Sequence, residues 1–417
     1  MSFYDVVEKY RDFDFYGYFD SVKKEDVLRS IYERNKRPED LLNLISPMGE
    51  LVLEEMAQEA RNLSLKYFGR TILLYTPMYI SNYCVNKCSY CGYNVENKIC
   101  RKKLNQEEIE KEGEAISKEG FKHILILTGE SEYHTPVEYI EKSIKTLKGK
   151  FPSITIEIYP MTEEGYKKVV EAGAEGLTVY HEYHTPVEYI EESIKTLKEK
   201  FPSITIEIYP MTEEGYKKVI EAGAEGLTVY QETYDEKVYD RVHVAGPKKN
   251  YKFRLEAPER GAEAGMRSIS IGALLGLADF RIDAFFTAMH GKYLRDKYPH
   301  IDISYSVPRI RHCEGGLKKL NEVYDRELVQ ILLAYRLFDP QGGINISTRE
   351  GKDFRRNLIP LGVSKISAGV STEVGGHSLK EKGTSQFDIN DESSVSEVKE
   401  LIKSEGYQPI FKDWHRF

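Results

Sequence analysis

Short β-branched runs alternate with amphipathic helices from Thr71 onward, and this alternation limits the folds open to the chain. A strand–helix repeat builds a parallel sheet, because each helix returns the chain to the edge where the next strand begins. Eight such strands close into a barrel whose active site lies at the C-terminal strand ends. The sequence shows ten candidate strands, at 73–80, 123–128, 154–159, 177–180, 204–209, 227–230, 269–272, 303–306, 344–347 and 365–367.

The two extra strands come from a near-exact tandem repeat. Residues 132–180 and 182–230 are identical at 46 of 49 aligned positions. A solenoid shows three or more diverged copies, so the pair reflects either a recent duplication or an error in the assembled gene. Because barrel diameter, shear and strand tilt are coupled, ten strands do not fit an eight-stranded wall. We therefore expect an α/β fold, a (β/α)8 barrel of the TIM type, with one copy lying outside it.

Flanking segments divide the chain into three predicted parts. Residues 1–69 form an N-terminal helical segment that packs on the outside of the barrel, residues 70–348 form the barrel, and residues 349–417 form its end and a C-terminal cap. Periodic apolar positions predict helices at 24–35, 38–45, 49–68 and 395–404.

Composition excludes several function classes. The chain has 417 residues, 41% hydrophobic and 30% charged, which is typical of one large globular domain with additions. A formal charge of −8 argues against a nucleic-acid partner. No apolar stretch approaches the ~20 residues that span a bilayer, and the acidic, aromatic N-terminus is unlike a signal peptide. These features predict a cytoplasmic protein without a membrane partner.

A cysteine motif follows the first predicted strand. Cys84, Cys88 and Cys91 are spaced C-x3-C-x2-C in the string YCVNKCSYCGYN, and only two other cysteines occur in the chain. Three thiolates on a four-iron cluster leave one iron open to a chelating cofactor. Zinc is a weaker interpretation, because structural zinc takes four ligands and none follows at finger spacing. A disulfide is weaker still without a signal peptide.

The motif resembles that of the radical S-adenosylmethionine (SAM) enzymes, with Tyr90 as the aromatic residue before the last cysteine. The longer string NYCVNKCSYCGYN resembles one branch of them, the tyrosine lyases of thiamine-thiazole biosynthesis and of di-iron hydrogenase maturation. The resemblance implies a [4Fe-4S] cluster held by the three cysteines and SAM bound at the open iron. It further implies cleavage of the Cα–Cβ bond of L-tyrosine to 2-iminoacetate (dehydroglycine) and p-cresol, while SAM yields methionine and 5′-deoxyadenosine. The partners implied are a thiazole synthase and a ferredoxin or flavodoxin reductant.

Other functions within and outside this branch remain open. The hydrogenase maturases carry a C-terminal extension with a second cysteine-bound cluster, whereas no cysteine follows Cys313, which favours the thiazole-pathway lyase. An enzyme of the menaquinone or deazaflavin pathways that forms carbon–carbon bonds would share the cluster motif. An inactive paralogue is the third possibility, given the repeat.

Several polar residues at strand ends are candidates for binding SAM. Glycine lets the backbone approach a ligand, which suits Gly129 at the end of its strand. The resemblance assigns Glu130 to the SAM amino group and Glu232 to a second polar contact. It also assigns Arg254, on a helix, to the SAM carboxylate, because a planar guanidinium matches a planar anion. A surface turn or a solvated helix face is the alternative for these positions.

Candidates for binding the substrate follow two later strands. Arg309, Arg311 and Arg349 are the cations on this face, and Ser347 adds a hydroxyl group. A buried, unpaired arginine is costly, so these arginines imply either a ligand anion or a salt bridge within the chain. We expect them to bind the carboxylate of an amino acid.

Overall fold

The part of the chain that a computed structural model describes comprises residues 2–85, 91–129, 131–151, 153–158, 168–169, 172, 176–179, 194, 205–206, 211–222, 224, 226–243, 249–313 and 321–411. Its first segment is helical, as predicted. The helices are α1 (Phe3–Lys9), α2 (Phe15–Ser21), α3 (Lys24–Tyr32), α4 (Pro38–Ile45) and α5 (Leu53–Phe68), and a 3-10 turn at Gly49–Val52 precedes the last.

Strands and helices alternate after this segment. The strands are β1 (Thr71–Tyr75), β2 (Pro77–Ser81), β3 (His123–Thr128), β4 (Ser153–Ile158), β5 (Gly176–Val179), β6 (Thr205–Ile206), β7 (Gly226–Glu232), β8 (Ser268–Ala273), β9 (Asp302–Ser306), β10 (Gly343–Ile346), β11 (Lys365–Ser367) and β12 (Gln408–Ile410). The helices are α6 (Gln106–Lys118), α7 (Val137–Lys148), α8 (Glu213–Ala222), α9 (Glu236–Val242), α10 (Tyr251–Leu255), α11 (Ala257–Ala264), α12 (Phe280–Lys297), α13 (Asp325–Phe338), α14 (Lys352–Leu358) and α15 (Val395–Ser404).

Local sequence explains where α6 begins. The side chain of Asn105 accepts a hydrogen bond from the Glu108 N–H at 2.9 Å, and the Glu108 carboxylate accepts from the Asn105 N–H at 2.8 Å. This reciprocal pair satisfies two amides that the first turn leaves without partners. Ile109 and Ile116 lie seven residues apart on one face and are buried, so the same helix packs onto the sheet.

The strands form two parallel sheets, which the consecutive strands β1 and β2 connect. One sheet has the order β12-β1-β11-β10-β9-β8-β7-β6 and the other β2-β3-β4-β5. Only Thr76 separates β1 from β2, so residues 71–81 pass directly from one sheet to the other, with β1 paired to β11 and β2 paired to β3. The α/β class with a mostly parallel sheet is confirmed.

Both copies of the repeat contribute strands to these sheets. Strands β4 and β5 come from the first copy and belong to the smaller sheet, whereas β6 and β7 come from the second copy and belong to the larger one. The sequence predicted that one copy lies outside an eight-stranded barrel; the described strands of both copies belong to the sheets, and for the barrel itself this stays a prediction. Because the copies have nearly identical strand sequences, neither is the better pairing partner. Strands β5 and β6 lie side by side, without a ladder between their described residues.

A continuous apolar core joins the N-terminal helices, the sheets and the C-terminal segment. Helices α4 and α5 pack against α13, and α4 also contacts α12, so the N-terminal segment covers the outer helices. Among the described helices, none is both long enough and apolar enough to cross a membrane.

Candidate active site

The cysteine loop begins where β2 ends. Cys84 and Cys91 form no disulfide, are partly buried, and both pack against the main core. Cys88 and Tyr90 were also predicted for this site, but they lie in 86–90, outside the described residues. Across the part of the chain with described positions, no group of three metal-binding side chains converges.

Arg101 links the backbone on both sides of the cysteine motif. The Arg101 guanidinium donates hydrogen bonds to the backbone carbonyls of Asn82 at 2.6 Å, Tyr93 at 2.9 Å, Asn94 at 2.6 Å and Asn97 at 3.4 Å. Each carbonyl would otherwise need another partner in this half-buried loop. Sequence reasoning did not find Arg101, because it lies ten residues beyond the motif in a basic run that reads as solvated surface.

A C-terminal segment, residues 384–387, covers the other side of the cysteine loop. The Gly92 N–H donates to the Gln386 carbonyl at 2.9 Å, and the Gln386 side-chain amide donates to the sulfur of Cys91 at 3.7 Å. The Tyr79 hydroxyl donates to the Gln386 side-chain oxygen at 2.9 Å. A Cβ atom at Gly92 would lie 2.6 Å from the Gln386 carbonyl oxygen, so this close approach requires glycine.

Gly129 contacts the cysteine loop through its backbone. Its N–H donates to the Ser81 carbonyl at 2.9 Å. A Cβ atom there would lie 2.4 Å from the Tyr83 carbonyl oxygen and 3.1 Å from the Cβ of Cys84. The need for glycine therefore arises from the cysteine loop itself. Its neighbour Glu130, predicted to bind the SAM amino group, lies outside the described residues.

Glu232 and Arg254 are brought together at the end of β7. The pairing register shifts between Tyr230 and Glu232, and Glu232 has a φ of 70°, in the left-handed region that costs energy for a residue with a side chain. Arg254 donates to the Tyr230 carbonyl at 2.9 Å. Burial raises the pKa of Tyr239. The positive charge of Arg254 lowers this pKa, and the negative charge of Glu232 raises it.

Two of the predicted substrate arginines have an anion within the chain. Arg309 is buried and pairs with Glu350 through two nitrogens, one at 3.0 Å, and with Asp325 at 2.7 Å. It also donates to the Val323 carbonyl at 2.9 Å. Arg311 donates to the same Glu350 carboxylate at 3.0 Å. Of the two alternatives that the sequence left open, the structure places a salt bridge at these positions.

Arg349 is in a different environment. Its guanidinium lies over the ring of Phe387 at 3.6 Å, and burial lowers its pKa to about 10, an effect that nearby Arg311 reinforces and Glu232 opposes. Among the described residues, no carboxylate lies within ion-pair distance of Arg349. Ser347 is next to it, with its hydroxyl accepting the Arg349 N–H at 3.4 Å.

The described residues fit an iron–sulfur cluster. The thiols of Cys84 and Cys91 lie in one loop and form no disulfide, and Arg101 fixes that loop. One of the two sulfurs, that of Cys91, accepts a hydrogen bond from an amide. The thiolate form of cysteine binds metal, and amide donors to its sulfur are typical of cluster sites.

Comparisons with known proteins agree with this geometry. The profile of the Radical SAM superfamily matches residues 78–286, and that of the Biotin and Thiamin Synthesis associated domain matches residues 306–408. Together they define an enzyme of the radical SAM class, whose members use a [4Fe-4S] cluster and SAM.

Two relatives that match almost the whole chain identify its family within the radical SAM class. The 2-iminoacetate synthase of Escherichia coli (strain K12) is 32% identical over 94% of this chain and 91% of its own length. The corresponding enzyme of Salmonella typhimurium is 33% identical over 93% of this chain and 90% of its own. The chain therefore belongs to the 2-iminoacetate synthase family of the radical SAM superfamily.

Solved structures show the same fold. A crystal structure of HydG, a maturase of the [FeFe]-hydrogenase, superposes with a TM-score of 0.69 at 27% identity, covering 96% of this chain and 80% of that one. Methylornithine synthase (PylB) superposes with a TM-score of 0.59 at 21% identity, over 92% of this chain and 96% of its own.

Proposed function

We propose that the chain cleaves the Cα–Cβ bond of L-tyrosine to 2-iminoacetate and p-cresol, for the thiazole of thiamine, while SAM is converted to methionine and 5′-deoxyadenosine. The observation that carries the proposal is Arg349, a half-buried cation that stacks on Phe387 and has no ion pair among the described residues. A charge in this position favours an anion. The family membership supports the carboxylate of an amino acid as that anion.

The substrate is held by Arg349 and its neighbours. A planar guanidinium can bind a carboxylate through two parallel hydrogen bonds, and the Ser347 hydroxyl can add a third. Arg309 and Arg311 act indirectly, because their shared pairing with Glu350 fixes the residue next to Arg349 in the chain. In this proposal Arg349 contacts the substrate, whereas Arg309 and Arg311 support the wall of the site.

Cys84, Cys88 and Cys91 would hold the cluster, with Tyr90 beside the last of them. Gly129, Glu130, Glu232 and Arg254 would hold SAM. When bound, the cluster and SAM supply the radical that begins the reaction. The chain binds and orients both ligands and excludes water. Tyr93, which is buried beside the cysteine loop, is one of the residues that exclude water. Burial raises the pKa of Tyr93 well above its usual value, so its hydroxyl stays neutral.

Product analysis tests the proposal. The purified chain, reconstituted with iron and sulfide without oxygen, is incubated with L-tyrosine, SAM and dithionite, and p-cresol and 5′-deoxyadenosine are quantified by chromatography. We expect both products in similar amounts. Formation of 5′-deoxyadenosine without p-cresol would identify tyrosine as the wrong substrate.

A pair of cysteine variants provides the control. Cys84→Ala removes a proposed cluster ligand and is expected to abolish both products. Cys100→Ala removes an exposed thiol outside the motif and is expected to leave both products unchanged. Equal losses in the two variants would contradict the assignment of the motif.

We propose two protein partners on chemical grounds. An imine product reacts with water, so direct transfer to a thiazole synthase would protect it. Cleavage of tyrosine to 2-iminoacetate and p-cresol is redox-neutral, whereas conversion of SAM to methionine and 5′-deoxyadenosine takes up two electrons and one proton. A ferredoxin or flavodoxin would supply these electrons through the cluster. Replacing dithionite with reduced flavodoxin tests the second partner, and p-cresol formation is the expected result.

A further inference from the structure

We propose that Gln386 is a positioning residue for the cluster, whose side-chain amide donates a hydrogen bond to the Cys91 sulfur and thereby raises the reduction potential of the cluster. The inference rests on the proposed role of Cys91 as a ligand, but not on tyrosine being the substrate. Gln386 lies 295 residues from Cys91 in the chain, and the contact distance is 3.7 Å from nitrogen to sulfur.

Tyr79 fixes the orientation of the Gln386 amide. The Tyr79 hydroxyl donates to the side-chain oxygen of Gln386 at 2.9 Å, so the amide nitrogen of Gln386 faces Cys91. In the reverse orientation the amide oxygen would face a thiolate, and two acceptors would repel each other. Tyr79 is buried on β2 and contacts the ring of Tyr93 edge-on at 6.0 Å, so it is itself held in place.

Backbone contacts anchor Gln386 at both of its peptide groups. Its N–H donates to the Thr372 carbonyl at 3.1 Å, and its carbonyl accepts from the Gly92 N–H at 2.9 Å. Gly92 directly follows Cys91, so the backbone contact and the side-chain contact bind the same two residues of the cysteine loop. The contacts with Tyr79, Thr372 and Gly92 therefore position the Gln386 side chain more than its own rotamer preference does.

Electrostatics give the direction of the effect. Reduction adds negative charge to the cluster and its sulfur ligands, so a donor to sulfur stabilises the reduced form more than the oxidised form. Hydrogen bonds to sulfur are among the factors that set cluster potentials. Removing the amide should therefore make the cluster harder to reduce.

The test is a redox titration of the reconstituted cluster followed by electron paramagnetic resonance. Gln386→Leu keeps most of the side-chain volume and removes the donor, and we expect its midpoint potential to be more negative than that of the wild type. A tenfold change in the reduction equilibrium, which corresponds to 59 mV for one electron, is the expected size. Tyr79→Phe should shift the potential in the same direction by less.

Thr384→Val is the matched control. Thr384 lies in the same segment, and its hydroxyl accepts from the Cys100 N–H at 3.0 Å without contacting Cys91. We expect this variant to loosen the segment locally and to keep the wild-type potential. An equal shift in Thr384→Val and Gln386→Leu would mean that loosening of the segment, and not the amide donor, sets the potential, which overturns the proposal.

Two further outcomes decide the matter. An unchanged potential in Gln386→Leu with a full cluster would overturn the role of Gln386 while leaving Cys91 a ligand. A wild-type chain that binds no iron at all would overturn the ligand assignment itself, and iron content distinguishes the two. If Gln386→Leu loses its cluster, the Tyr79→Phe titration decides, and an unshifted potential there counts against the proposal.

Discussion

Arg309 and Arg349 follow neighbouring strands, but only one of them has its counter-ion within the described chain. Arg309 pairs with Glu350 and Asp325, whereas Arg349 stacks on Phe387. The two arginines therefore predict different consequences of the same substitution.

Arg349→Met should weaken substrate binding without weakening the fold. A hydrogen-bonded pair with a charged group contributes about 1.5–3 kcal/mol, so we expect KM for tyrosine to rise roughly 10- to 100-fold. Thermal unfolding should be nearly unchanged, because no ion pair within the described residues is lost. Steady-state kinetics and calorimetry measure both quantities.

Arg309→Met is the matched control, with the opposite expectation. It leaves Glu350 buried and short of a partner, which costs about 3–5 kcal/mol when one member of a buried pair is removed. The melting temperature should fall clearly. Were Arg309→Met to raise KM at unchanged stability, the roles of the two arginines would be the reverse of those proposed.

Asp283 predicts a dependence of stability on pH. It is fully buried on α12, accepts hydrogen bonds from Thr233 and the Tyr234 N–H, and burial raises its pKa from 3.8 to about 7. Because the folded pKa lies above the unfolded one, its contribution to stability is complete below pH ~4 and is lost as pH rises through about 7. The loss is at most about 4 kcal/mol, taking 1.36 kcal/mol for each pH unit.

Comparison with Asp283→Asn isolates this contribution. Asparagine resembles the protonated acid, so the variant should gain stability relative to the wild type as pH rises from 5 to 8. Urea unfolding at several pH values measures the difference. Parallel curves for the two proteins would show that Asp283 does not titrate in this range.

For individual residues, the sequence predicted which residue types form the site better than it predicted which groups they contact. The cysteine spacing and the set of arginines were evident, but whether an arginine binds a ligand or a salt bridge depends on which carboxylate the fold brings near it. Glu350 adjoins Arg349 in sequence, yet it pairs with Arg309. Gln386 carried no signal, because its contact with Cys91 depends on how a distant segment packs.

Among the elements, those with strong local signals were predicted best. Helix α4 begins with a proline at its first position and β3 is a continuous apolar run, and both have the predicted bounds. Helices α1 and α2 were missed because each has only seven residues and is stabilised by aromatic contacts with α12, such as Phe3 with His290 and Phe15 with Phe285. Strand β12 contains a proline and was likewise missed, since its pairing with β1 defines it.

Gly129→Ala tests how tightly β3 abuts the cysteine loop. An added Cβ would meet the Tyr83 carbonyl oxygen at 2.4 Å, so the backbone of the loop has to move. We expect the iron and sulfide bound after reconstitution to fall by half or more. Gly149→Ala, whose Cβ would meet no atom within 4 Å, is the control and should bind the full amount.

A full cluster in Gly129→Ala would show that the loop tolerates the shift. The expected destabilisation of the fold is smaller than the loss of cluster, because Gly129 lies after the end of β3 and its φ is not in the left-handed region. Thermal unfolding of the apoprotein separates the two effects.

For the whole molecule, the repeat is the feature whose placement depends on how the two sheets meet. Both copies place strands in the sheets, and the described ladders stop between β5 and β6. Barrel geometry links strand number to closure, so the extra units are expected to strain the wall and lower its stability.

Excising one copy tests this expectation. Deletion of 132–181 joins Ser131 to Glu182, and deletion of 181–230 joins Tyr180 to Gln231, so the products differ only at the three positions where the copies differ. Both shortened chains should melt at a higher temperature than the full chain, by several degrees, as measured by calorimetry. A full chain that melts above both would show that the second copy stabilises the protein.

Strand β1 sets the order in which this protein can be completed. It pairs with β11 and β12, which lie about 300 residues later. At a synthesis rate of 5–20 residues per second, β1 leaves the ribosome roughly 15 to 70 s before β12 does. During that interval the backbone amides of β1 lack the strands with which they pair in the folded protein. An unpaired strand of this kind is a target for chaperones and for aggregation with another nascent chain.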